Sequence, residues 1–336
     1  MKIGPAHPRT FRLSYARVTE HLDAPIANPL THRSPNLVIL AFDDREAMAL
    51  ALARPASEYE KTVSADKVRS AFVGINFPMD VLLNWWELRD RKRRKLLQPT
   101  SDFSNGQNSE GKASSYCGVT NDDAAHHFSP TPPERSLLAA ITTEGRYEDW
   151  GSESLMTQSS VQYVVAFTSG DSSTLRHELA HAVFYLCPEY RTIAVTLWDD
   201  MASDRVSSVT GVRFGGAGRQ LRQSVEKLFR EWGYHGNNFV DEFQAYTVED
   251  AAWFERSLNI GVRARAGGSN VRTAAVRGKA QRVNSGLANP IDTLDCISII
   301  AAKLTESFDA AGGDVMVRSL GAMDGSGINP RASSRR

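Results

Sequence analysis

The sequence predicts an α+β fold, with a small sheet backing one central helix and a mainly helical C-terminal half. Three observations carry that expectation. Residues 36–42 and 161–167 are continuous apolar runs of strand length, the pattern of strands buried on both faces. Each run leads through potential capping residues into a helical segment. Past residue 188 the apolar positions recur at helical spacing.

Taken in order, residues 11–18 alternate loosely and suggest a first strand, with 36–42 a stronger one. Asp43 or Asp44 would cap a helix through residues 45–52, which Pro55 should end. Residues 64–73 suggest a short helix stopped by Gly74. Pro78 should start another, whose Val81, Leu82, Trp85, Trp86 and Leu88 share a side. Its end, residues 89–95, is strongly basic. Such a cluster can serve nuclear import or bind phosphate, but a solvated helix end with cations at the negative end of the dipole is the simpler reading.

Residues 99–134 turn to Ser, Asn, Gly, Thr, Pro and Asp, the composition of a flexible linker or insertion. His126 and His127 fall inside it and read as solvated. The linker separates an N-terminal α/β region, residues 1–98, from a second region, residues 135–311, with a frayed tail at 312–336. In that second region a turn at 169–173 precedes a Leu- and Ala-rich helix that stops at Cys187 and Pro188. Pro188 opens another helix. Residues 215–218, Gly-Gly-Ala-Gly, suggest a flexible loop without the spacing of a phosphate site. An amphipathic helix at 220–232 closes at Gly233. Asn238 should cap the helix at 239–257, and residues 291–308 form a last amphipathic helix with Leu294, Ile297, Ile300, Leu304 and Phe308 inward. Residues 262–282 hold six Lys or Arg and no acid, which suggests a loop able to meet an acidic partner.

Composition narrows the function classes. The chain has 336 residues, 41% hydrophobic and 23% charged, enough for a sizeable core. Its net charge is zero, so nothing draws the whole molecule to nucleic acid or membrane. No apolar stretch approaches the roughly 18–20 residues of a membrane span, and residues 1–12 lack the apolar core of a signal peptide. Three widely spaced cysteines, Cys117, Cys187 and Cys296, give no disulfide framework. An intracellular, cytoplasmic location is the expectation, with nuclear import open through residues 89–95.

The chemistry concentrates in the helix after the second apolar run. His177 and His181, four apart, stand one turn above the other on one helix face and can share one Zn²⁺. Glu178 lies on the adjoining face, within reach of a metal-bound water. This His-Glu-x-x-His pattern resembles that of the zincin metallopeptidases, with its order of strand, turn and motif helix.

The resemblance implies one Zn²⁺ per chain, a third protein ligand, and hydrolysis of a peptide or protein substrate with Glu178 as general base. In the metzincin group a Gly and a third His follow the motif; here those positions hold Phe184 and Cys187, and Cys187 borders Pro188, so the pattern fails. The gluzincin group takes a Glu from a later helix. Residues 241–246 are similar to that element, and Glu242 falls 61 residues past His181. Gluzincins commonly carry an Asp four residues beyond that Glu; Tyr246 stands there, with a hydroxyl able to accept the same imidazole N–H. Asp241, about 100° around the helix from Glu242, should matter less. Tyr190, Tyr234, His235 and Tyr246 could stabilise an oxyanion by residue type alone. Two other readings are a non-catalytic binding protein with a zincin fold, and a zinc hydrolase of a non-peptide amide.

Overall fold

The computed structural model describes residues 10–24, 26–32, 34–60, 64–97, 129–144, 160–258 and 293–322. The tract at 99–128 with His126 and His127, and the basic stretch at 262–282, lie outside the described residues. The chain is mixed α and β and divides into two units, residues 1–14 with 38–169, and residues 15–37 with 170–336.

Most of a four-stranded sheet lies in the first unit. Across the sheet the order is β1 (Phe11–Ala16), β2 (Leu37–Phe42), β4 (Tyr163–Thr168) and β3 (Gly74–Pro78). β3 runs antiparallel to β4, with Asn76 opposite Val165. Side chains of β2 and β4 are buried almost throughout, as their unbroken apolar runs require. Residues 74–78 are a strand where the sequence suggests a helix stop and start. Gly-Ile-Asn-Phe-Pro is too short to show a period, and its pairing with β4 decides it.

Helices α1 (Arg45–Glu60), α2 (Ala65–Ala71), α3 (Met79–Leu97) and α4 (Pro132–Glu144) complete this unit. Asp44 caps α1 by accepting from the Ala47 N–H at 2.7 Å. Pro55 does not end α1 but sits buried within it, between buried Leu52, Ala53 and Ala56; packing outweighs the lost hydrogen bond there. α4 opens at Pro132, inside the span that the sequence assigns to a linker. Thr131 and Glu134 form a capping box: Glu134 accepts from the Thr131 N–H at 2.7 Å. Arg54 pairs with the buried Glu134 and, with Arg89, lies over the Trp85 ring.

The second unit is helical: α5 (Ser172–Leu186), α6 (Pro188–Ala202), α7 (Gly215–Trp232), α8 (Phe239–Ser257), α9 (Thr293–Ala310) and α10 (Gly313–Ala322). Asp171 caps α5 through the Thr174 N–H at 3.0 Å. The buried face of α5, Leu175, Leu179, Ala182, Val183 and Leu186, packs most extensively on α8, and α9 covers α6, α7 and α8. Each such buried Leu or Val side chain contributes about 1.5–3 kcal/mol. Arg176 ties α5 to three other helices: it donates to the Val248 carbonyl at 2.8 Å and to Asp314 at 3.1 Å, over the Phe308 ring.

Three expectations change here. The segment 215–218 is the first turn of α7, and Gly218 packs against Met201, where a Cβ would come within 2.7 Å of the carbonyl oxygen. Asn238 makes no side-chain cap; a short 3₁₀ turn, Gly236–Asn238, leads into α8 instead. Residues 313–322, the start of the span that the sequence assigns to a frayed tail, form a helix, α10, with Met316 and Leu320 buried, and residues 323–336 lie outside the described residues.

Candidate metal centre

The side chains of this site come from α5 and α8 alone. His177 and His181 project from α5 toward α8, and Glu242 enters from one turn into α8. Their ligand atoms all lie within 4.8 Å of one another. The Nε2 atoms of the two imidazoles are 3.2 Å apart, and Glu242 Oε2 lies 3.8 Å from His177 Nε2 and 3.9 Å from His181 Nε2.

What holds the rings is a second layer of carboxylates. His177 Nδ1 meets Glu249 Oε2 at 2.9 Å, and the other oxygen of Glu249 accepts from the Ser173 hydroxyl at 2.6 Å. His181 Nδ1 lies 2.8 Å from Asp241 Oδ1, in ionic contact but off the line of a straight hydrogen bond. Asp241 in turn accepts from Gln244 at 3.0 Å, whose carbonyl oxygen accepts from the buried Tyr190 hydroxyl at 2.7 Å.

This arrangement assigns the ring protons. A carboxylate only accepts, so both Nδ1 atoms carry hydrogen when the rings are neutral, and both Nε2 atoms turn lone pairs inward. Glu242 Oε2 adds a third, and that atom is buried without a hydrogen-bond partner. Three converging lone pairs repel unless a cation or a proton lies among them. Without a metal the proton serves: burial opposes charge on His181, yet Asp241, Glu242 and Glu178 raise its pKa to about 10. Burial first, against the pull of the two histidines, raises Glu242 to about 7.

The size of the opening tests the fit. The centre of a triangle with sides of 3.2, 3.8 and 3.9 Å lies about 2.1 Å from each corner, the length of a zinc bond to His or carboxylate. Ideal tetrahedral donors at that length stand about 3.4 Å apart, so a few tenths of an ångström of adjustment completes the set. The residues present fit zinc.

No family model, curated protein or solved structure matches this chain.

Glu178 is buried, and its charge acts on His181, Glu242 and Tyr246. Tyr246 does not take an imidazole N–H: its hydroxyl lies 2.9 Å from the Tyr234 hydroxyl, while its ring stands edge-on to His177 at 4.6 Å. Burial first, and then the charge of Glu242, raises the Tyr234 pKa, so that phenol stays protonated beside the site. Cys187 ends α5, and its Sγ faces the Glu20 carbonyl at 3.6 Å; His235 is exposed and accepts from the Asn237 N–H. Neither joins the cluster.

Glu249 is the residue that sequence reasoning missed, and Asp241 has a larger part than the sequence suggests, through its 2.8 Å contact with His181 Nδ1. Glu249 follows Glu242 by seven residues, two turns, so the helical period itself was a signal.

Proposed function

We propose that this chain is a zinc-dependent hydrolase, a metallopeptidase in which His177, His181 and Glu242 hold one Zn²⁺ and Glu178 is the general base. The observation that carries the reading is the convergence of three lone pairs on an opening of zinc size, with each imidazole backed by a carboxylate. Bound there, zinc supplies a Lewis acid that polarises a carbonyl oxygen and acidifies water.

Each residue has a separate task. Glu249 and Asp241 fix ring orientation and raise the basicity of the Nε2 atoms. Glu242 adds the negative charge that holds a dication against exchange. Glu178, beside that set on α5 and not counted among the ligands, takes a proton from water and returns it to the leaving amine. The protonated Tyr234 and Tyr246 hydroxyls supply donors near the carbonyl oxygen where negative charge develops.

The test joins metal content to turnover. Protein purified without chelator should contain about one zinc per chain and cleave members of a mixed peptide library, with cleavage lost on dialysis against a chelator and restored by zinc. Background zinc, and no uptake on addition, would remove the metalloenzyme reading. Zinc without cleavage would leave a non-catalytic metal-binding fold.

A further inference from the structure

The metal centre is continuous with an exposed aromatic surface. Tyr246, whose ring abuts His177, is flanked by Trp232 at 5.3 Å and by Trp253 at 5.8 Å, the latter stacked at 30°. The two indoles lie 6.1 Å apart, and each is 40% exposed. Two tryptophans in contact and half open to water are uncommon on a surface, where large apolar rings are normally scattered.

The placement has a local cause. α8 breaks at Asp250, whose φ of −156° and ψ of 89° leave the helical region. Asp250 then caps the next turn through the Trp253 N–H at 2.9 Å. That restart turns Trp253 and Phe254 back onto Tyr246, and Phe229 and Phe254 stack beneath. Trp232 arrives from the end of α7, where Gly233 at φ +89° stops the helix. The indoles are thus fixed from below before anything binds, so docking on them forfeits little side-chain entropy.

We propose that Trp232 and Trp253 form the specificity shelf of this site and take an aromatic side chain of the substrate peptide, held beside the bond at the metal. The inference rests on the hydrolase reading for the word substrate, but the binding itself does not need catalysis. Charge argues against an acidic occupant. Glu178, Asp241, Glu242 and Glu249 surround two histidines, and one dication leaves that group net negative, which disfavours an acidic side chain. An aromatic ring gains offset or edge contact with either indole.

The experiment measures binding without turnover. Zinc-loaded Glu178→Gln protein is titrated with two blocked tripeptides, acetyl-alanyl-phenylalanyl-alanine amide and the all-alanine analogue, following tryptophan fluorescence. The phenylalanyl peptide should bind about tenfold tighter, as one added aromatic pair implies. In Trp253→Ala and Trp232→Ala the preference should shrink toward unity, with zinc content and circular dichroism unchanged; Trp253→Phe should keep part of it. Equal affinities, no saturable binding of either peptide, or a preference that survives both alanine variants overturns the shelf. A preference lost in those variants, in a protein whose wild type cleaves no peptide, leaves the shelf standing and removes the hydrolase reading instead.

Discussion

Glu249 reaches back two helical turns from Glu242 to meet His177 Nδ1 at 2.9 Å. One helix thus presents the proposed ligand and the group that orients another ligand. Glu249→Gln should keep the fold but lower zinc affinity by about 10–100-fold, the usual cost of losing such a partner. Competition with a chromogenic chelator measures it. An unchanged affinity would mean that Glu249 only anchors Ser173.

Glu242 and Asp241 separate in the same assay. Glu242→Ala removes a corner of the donor triangle and should weaken zinc by more than about 100-fold, with activity lost. Asp241→Ala leaves the triangle whole but frees His181, so a loss of about tenfold is expected. From sequence, Asp241 should have mattered little; its 2.8 Å contact with His181 Nδ1 revises that. Equal losses for the two variants would place the third donor elsewhere.

Glu178→Gln should bind zinc as tightly as wild type and fold normally, yet lose kcat by at least about 100-fold, because an amide cannot take a proton. Loss of the metal in this variant would make Glu178 a ligand rather than a base.

Gly218 and Gly216 make a stability pair within one helical turn. A methyl at Gly218 would meet Phe214 Cβ at 2.5 Å and the Met201 carbonyl at 2.7 Å, whereas nothing lies within 4 Å of one at Gly216. Gly218→Ala should destabilise by about 1–3 kcal/mol through overpacking. Gly216→Ala should be neutral or stabilising by up to about 1 kcal/mol, as an alanine restricts the unfolded chain. Urea unfolding of the full chain compares them.

His21 and Glu189 give a pH signature away from the site. Their contact, 2.8 Å from His21 Nδ1 to Glu189 Oε1, raises the His21 pKa above 6.5 and lowers that of Glu189 below 4.5, chiefly through that hydrogen bond. The His21 part of the stabilisation is complete below pH 6.5 and is lost as pH rises through the raised value. The Glu189 part is complete above pH 4.5 and is lost as pH falls through the lowered value. The pair is therefore at full strength between those limits. In Glu189→Gln the His21 pKa, read by NMR, should fall back toward 6.5; no change would show that other groups set it.

The parts of the fold legible in the sequence are those with a period or a run. β2, β4 and the motif helix follow from continuous apolar stretches and caps, and Glu242 follows from its place near a helix start. Among the described residues no helix is long and apolar enough to cross a membrane, and Cys187 and Cys296 are free, in line with the sparse cysteines. The misreadings came where tertiary contact overrides local preference. Pro55 stays helical because its neighbours are buried, and Gly218 is a packing glycine rather than a loop residue, since Met201 leaves no room for a side chain there. Tyr246 was given an imidazole partner that Glu249 takes, since spacing alone does not say which of several polar groups on a face wins.

Residues 15–37 belong to the helical unit although the sheet unit flanks them in sequence. Glu189 holds the Leu22 N–H, the Cys187 thiol faces the Glu20 carbonyl, and Pro29 lies under Gly312. During vectorial synthesis this strap leaves the ribosome long before any of those late partners exists. The residues of the sheet unit are all synthesised before Gly170, so the strap waits for its partners until that unit's chain is complete. A fragment starting at Gly170 would lack its strap, whereas a circular permutant that splices residues 15–37 after α10 would restore every one of these contacts in a single contiguous piece.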